Sequence, residues 1–393
     1  MKIRYTKCFI ISMVYFGLFV QNHVLSQSFE SYYLYLGDYP RDANPGYHED
    51  VQGITHDENY WYITQSDADD PDPSERSLWK IPVTHNLESV SASDANIKRV
   101  ILDFIFELAD KGYNHFGDLT HYQYNTHGFL CVPIEIIRDG WDKKPAIAIF
   151  NSNTLAYIDH ARIDGQNSAP WCAVDTKGDL YSSGQGVTSI NRFTIDWKEL
   201  ETNNTLNIGN RTSISLFDES GHSLQLGGTQ GGVLTPSGEL FYIVADGIHV
   251  FNTTSWQRIQ KSTNGYGHFN YEYSPGAWPD PYEEPEGITI WDLDDRCAPG
   301  ISGQLHVLML DNDASQDEVY LKHYSGTIHV DNTHTGSQNG TLSKPFNTFM
   351  GAYIKSWNGA KFNIKSGRYP ESVVINKRCM IKSWDGGLVK IGK

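Results

Sequence analysis

Outside its first 26 residues, the 393-residue chain lacks any apolar run long enough to cross a bilayer, which takes about 20 residues. It also lacks the GxSxG nucleophile elbow, the P-loop and the dinucleotide fingerprint, which leaves serine-hydrolase and nucleotide chemistry without a motif. Cysteine is scarce: Cys8, Cys131, Cys172, Cys297 and Cys379 are scattered and form no CxxC pair. Cys131 and Cys172 fall within strand-like segments and read as small buried apolar residues. Helical patterning is nearly absent before residue 345.

The leader, MKIRYTKCFIISMVYFGLFVQNHVLS, places Lys2, Arg4 and Lys7 before an apolar run from Phe9 to Val20 and ends with Val24 and Ser26 at cleavage spacing. It reads as a secretory signal peptide over residues 1 to 26, so the expected product is extracellular and has no membrane span. Sequons begin at Asn203, Asn210, Asn252 and Asn339.

Charge is uneven. The formal net of −16 resolves into +3 for the leader, −26 for residues 27 to 325 and +7 for residues 326 to 393. That asymmetry marks a domain boundary near Ser325, and the acidity of the larger part argues against nucleic acid as its partner.

Five segments share one cadence: "VQGITHDENYWYIT", "FGDLTHYQYNTHGFLCVPI", "APWCAVDTKGDLYSS", "QGGVLTPSGELFYIVAD" and "PEGITIWDLDD…GQLHVLML". Each is a short strand, a polar turn and a second strand rich in aromatic and β-branched residues. Equivalent positions, Gly53, Asp118, Cys172, Gly232 and Gly287, are 65, 54, 60 and 55 residues apart. Such a period predicts an all-β, five-bladed β-propeller, with a sixth blade left open by the long first interval and a β-sandwich as the alternative. Third and fourth strands are readable after most of these segments; the fifth lacks a fourth strand, and "SYYLYLG" at residues 31 to 37 is spare and predicted to close the ring.

"APWCAVDTKGDLYSS" and "GGVLTPSGELFYIVADGIHVFN" resemble the repeats of gluconolactonase and NHL-type propellers. That resemblance implies a propeller over about residues 30 to 325 and a channel metal that activates a lactone, although the ligand set of Glu, Asn and Asp is not matched residue by residue. The tail, residues 326 to 393, is similar to the opening coil of secreted right-handed parallel β-helices of the pectin-lyase-like class. A capping helix is expected in "KPFNTFMGAYIKSW", with Phe346, Phe349, Met350, Tyr353 and Ile354 on one face, followed by strands in "KFNIKSG", "SVVIN", "RCMIKS" and "LVKIG". A solenoid coil buries its apolar face by stacking about three or more repeats, and fewer than two rungs are readable here. The coil is therefore expected to be shortened relative to its relatives or to pair its last rung elsewhere, and to carry no lyase or hydrolase site of its own.

"HEDVQ" fails as a zinc motif at Gln52, and "DNDASQDE" fails as an EF-hand at Gln316 and Lys322. Propeller geometry instead converges the residues that lead into each blade: His48, Glu49, Asp50 and Gln52, then His115, Asp118 and His121, then Asn167 and Trp171, then Gln230, then Glu283, Glu284 and Glu286. Converging carboxylates raise one another's pKa unless a cation joins them, which predicts calcium held by Asp50, Asp118 and Glu286. The expected role is recognition of an extracellular glycan or other small ligand by His115, His121, Gln230 and a stacking Trp171. The alternative is a lactonase-like or glycoside-hydrolysing propeller with Asp118 and Glu286 as its catalytic carboxyl pair.

Overall fold

The computed structural model describes residues 33 to 392, except 67–71, 138–142, 277–281, 295, 313–316, 357–359 and 378. The leader lies outside the described residues, as do parts of the "SDADDPDPSE" and "DNDASQDE" loops. Among the described residues, no helix is long and apolar enough to cross a membrane.

Five antiparallel sheets radiate from one axis. Four are built in chain order from the inside outward. Blade 1 is Val51–His56, Tyr60–Ser66, Arg76–Pro82 and Lys98–Ile101. Blade 2 has an inner edge split between His115–Phe116 and Thr120–Tyr124, both paired to His127–Glu135, followed by Ala146–Asn151 and Tyr157–Arg162. Blade 3 is Trp171–Val174, Leu180–Ser183, Ser189–Ile195 and Ile208–Ser215. Blade 4 is Gly231–Leu234, Leu240–Val244, Ile248–Asn252 and Arg258–Lys261.

Blade 5 departs from this order. Its inner strands, Tyr282–Ile290, Leu305–Asn312 and Glu318–Ser325, take their outermost partner from the start of the described chain, Leu34–Asp38, with Leu34 opposite Ser325. The spare strand does close the ring, and five blades account for all the large sheets. Closure removes the free hydrogen-bonding edge that Glu318–Ser325 would otherwise present.

Apolar residues fill the spaces between neighbouring blades. Trp61, Trp79, Trp291 and Leu310 pack between blades 1 and 5, while Phe129, Cys131, Cys172 and Phe193 pack between blades 2 and 3. Cys131 and Cys172 are unbridged and fully buried, as their strand context suggests.

The axis is too crowded for side chains. A Cβ at Gly53 would lie 2.3 Å from the Asp118 Cα, and one at Gly287 would lie 2.8 Å from the Ile54 nitrogen. At Gly232 it would strike the Trp171 ring at 2.6 Å. Gly53 and Gly287 are thus required by close backbone approach, and Gly232 by the Trp171 ring.

In the tail, Thr327–Val330 pairs in parallel with Ala360–Ile364, which pairs in parallel with Cys379–Ser383; Gly367–Tyr369 pairs in parallel with Val389–Ile391. The helix Phe349–Lys355 is capped by Thr348, and the Glu371 carboxylate accepts from the Phe349 and Met350 N–H groups at 2.9 and 2.6 Å. Phe349 and Tyr353 face inward, but Ile354 is 67% exposed and leaves the predicted apolar face. Leu34, on the closing strand of blade 5, is buried among Ile328, Val330 and Phe349 of the tail. Met380 and Ile381, on the strand Cys379–Ser383, are exposed.

Gly53→Ala is expected to destabilise the protein by about 2 kcal/mol or more in urea unfolding, because backbone must move to admit the methyl group. Gly227→Ala, where a Cβ meets nothing within 4 Å, is the control and should change stability by less than about 0.5 kcal/mol.

Candidate functional site

Asp118 occupies the axis. Its main chain crosses to blade 3, donating to the Pro170 carbonyl at 2.8 Å and accepting from the Cys172 N–H at 3.0 Å. Its Oδ1 accepts from the Ile54 N–H of blade 1 at 3.0 Å. The N–H groups of Gly232 in blade 4 and Ile288 in blade 5 also face the carboxyl group and favour its charge, yet burial outweighs them and holds its pKa well above the usual carboxylate range. One residue of blade 2 therefore reaches all four other blades.

Above this plug lies a blind pit of about 250 Å³, formed where the innermost strands begin. Asp50 and Gln52 come from blade 1, His115 and Glu135 from blade 2, Pro170 from the approach to blade 3, Gln230 from blade 4, and Glu284 and Glu286 from blade 5. The predicted convergence of Asp50, His115, Gln230 and Glu286 is realised here. Gln52 donates to the Asp50 carboxylate at 2.8 Å, and Gln230 reaches Glu286 at 3.4 Å.

Glu286 is buried, and burial together with the neighbouring Glu284 and Asp50 charges pushes its pKa well above normal. Burial raises Glu284 as well, against the opposing effect of its hydrogen bond with Glu286. On the far wall, burial and the nearby Lys143 push His115 down to about 3, leaving it neutral; its Nδ1 has no hydrogen-bond partner among the described residues.

Other predicted site residues sit elsewhere. Asp118 does not line the pit: fully buried, it pins strands together and is unavailable as a catalytic acid or base in this arrangement. Trp171 is also fully buried, with its ring against Gly232 and Phe241, so it offers no free face for a sugar to stack on. His121 lies beyond the plug, in a second cavity of about 600 Å³ where the same inner strands end. His115 and His121 are six positions apart along the split inner edge of blade 2, which carries them to opposite mouths.

The three carboxylates predicted to hold calcium, Asp50, Asp118 and Glu286, do not form a close ligand set. Among the described residues, the group whose oxygens all lie within 4.8 Å of one another is Asp42, Asp311 and Glu318, beside the closing strand.

Sequence reasoning missed the pairing of Glu135 with Lys143, whose Nζ lies 3.4 Å from Glu135 Oε2 while Oε1 accepts from the Ala169 N–H. A lone acid at the end of the apolar run "CVPIE" is the signal that could have found it. Gln185, on the pit wall from blade 3, carried no signal.

No protein-family model and no curated protein sequence matches the chain. Among solved structures, it is similar to a luciferin-regenerating enzyme at 13% identity over 70% of this chain and 76% of that one, with a TM-score of 0.35. A GH43 β-xylosidase/α-arabinofuranosidase from a compost microbial metagenome aligns at 10% identity over 73% and 94%, with a TM-score of 0.40. The tail fiber of Staphylococcus aureus phage P68 aligns at 16% identity over 76% and 54%, with a TM-score of 0.36. Likenesses this distant carry no argument about activity; the blade architecture rests on the sheets themselves.

Asp118→Ala, which leaves the Ile54 N–H unpaired and opens the axis, is expected to cost about 2–4 kcal/mol in denaturant unfolding. Asp118→Asn keeps an acceptor and should cost less than half as much. Because its raised pKa means that the folded protein holds a proton the unfolded chain releases, Glu286 contributes stability fully below about pH 4, and that contribution falls as pH rises through the folded value. Thermal melts of Glu286→Gln from pH 4 to 8 should therefore show it gaining stability relative to the parent as pH rises.

Proposed function

We propose that this chain is an extracellular recognition protein whose propeller binds carbohydrate in the axial pit. The observation that carries this reading is the convergence of Asp50, Gln52, Gln230, Glu284 and Glu286 from three blades on one blind hollow. Carboxylates and primary amides are planar, multivalent partners for the paired hydroxyls of a sugar ring; Gln52, Glu284 and Glu286 are fixed on strands, and Asp50 and Gln230 directly precede strands. Residues 326 to 393 are read as the first coil of a right-handed parallel β-helix, a reading supported by their parallel registers.

Glycan-array screening of the whole protein tests the proposal. Binding to at least one oligosaccharide class is expected, falling about tenfold in Gln230→Ala, which corresponds to about 1.4 kcal/mol. Absence of binding across the array would sink it.

A second reading, glycoside hydrolysis, is supported by the meeting of Asp50 and Glu286 in one pit, where burial and neighbouring acids hold the Glu286 carboxyl well above the usual range, since such chemistry needs one carboxyl protonated and another ionised. Glu286 would be the acid and Asp50 the base. Release of reducing sugar that vanishes in Glu286→Gln supports this reading, whereas binding that survives the substitution without turnover supports recognition alone.

Calcium enters the proposal at Asp42, Asp311 and Glu318, the carboxylates whose oxygens lie close enough to share an ion. Calorimetric titration of chelator-stripped protein should then give binding heat that Asp311→Asn abolishes, and a flat titration removes the ion from the proposal.

A further inference from the structure

The pit does not end at its own rim. Two of its wall residues, Lys143 and Gln185, also line a larger groove of about 800 Å³ that runs outward over blade 3. The groove is floored by amides, hydroxyls and glycines rather than by apolar side chains. Its amides are held in place: buried Asn191 donates to Gln166 Oε1 at 2.9 Å, and Gln166 in turn donates to Ser182 Oγ at 2.8 Å and to the Ser168 carbonyl at 3.0 Å. A chain of fixed amides is a preorganised surface for hydroxyl groups. At Gly186 a side chain would meet nothing within 4 Å, so the glycine keeps the passage open rather than relieving a clash.

The two hollows differ in depth and charge. The pit is stopped by Asp118 and its crowded glycines, and its volume falls below the roughly 300–1,000 Å³ of pockets that enclose a drug-sized ligand. It therefore admits about one sugar ring. The pit gathers Asp50, Glu135, Glu284 and Glu286 against Lys143 alone, which pairs with Glu135, and so disfavours an anionic ring, whereas the groove adds Arg211 and no acid.

We infer that the chain recognises a linear oligosaccharide by its end: a neutral terminal residue seats in the pit, and the next units lie along the Gln166–Asn191 groove past Gln185. This rests on the carbohydrate reading above and adds direction, length dependence and a requirement for a neutral terminus.

The test is an array of xylan-, arabinan-, glucan- and galacturonan-derived oligosaccharides of one to six units, each immobilised through either end or through a mid-chain branch. Affinity in a neutral series should rise at least tenfold from one to three or four units and then level off. One immobilised end should be recognised and the other not, and the all-acidic galacturonan series should fail. Gly186→Phe, which fills the groove without straining the backbone, should lower affinity for the tetramer at least tenfold and leave the monosaccharide within twofold. Melting temperature confirms that the variant is folded. Affinity independent of length, or equal binding through both ends, overturns end-on recognition while leaving carbohydrate binding intact. Galacturonan binding with a terminal uronate overturns the neutral-terminus requirement, and failure of every series overturns both.

Discussion

The packing of five inner strands around a single carboxyl group is the constraint from which the rest follows. Neighbouring strands leave no room for a Cβ at Gly53 and Gly287, and the Trp171 ring leaves none at Gly232, yet strand N–H groups facing the axis still need acceptors. Asp118 supplies oxygen atoms where no carbonyl can reach. Its burial costs desolvation, which main-chain N–H groups from several blades offset in part. Because the plug is solid, the propeller has two separate mouths instead of a through-channel. Each mouth collects side chains from several blades.

Much of the blade architecture was legible because two signals agree. The alternation of buried and exposed positions defines strands, and recurrent Gly-Ile-Thr or Gly-Gly-Val-Leu segments mark the strand nearest the axis. The third strands readable in the sequence at 78–83, 146–151, 189–196, 247–252 and 318–324 differ from the observed ones by at most two residues at either end. The helix Trp197–Asn203, inserted between the last two strands of blade 3, was not anticipated, because seven residues capped by Asp196 are too few to establish a helical period.

The site was only half legible. A repeat tells which residues lead into the axis but not how deep each one sits. Asp50, His115, Gln230 and Glu286 stop at the same level, whereas Asp118 lies a few residues farther along its strand and passes below the floor. Trp171 occupies the equivalent approach in blade 3, and there the neighbouring Gly232 gives its ring a place to lie flat inside the sheet stack. Whether an aromatic residue faces solvent or fills a neighbour's missing side chain depends on contacts from another blade, which no local pattern records. Gln166, Gln185 and Asn191 were silent for the same reason, since amides in turns and strands are ordinary until their neighbours are known.

The strand Leu34–Asp38 closes blade 5 by pairing with residues nearly 300 positions away, and Leu34 also seats the tail. During synthesis this first segment must wait unpaired until Ser325 has been made, and its other face until Phe349 follows. The half-built ring thus carries an open edge through most of its production, and contacts of such wide sequence separation are slow to form. Closure of the ring therefore depends on Glu318–Ser325 and the tail both meeting the strand Leu34–Asp38.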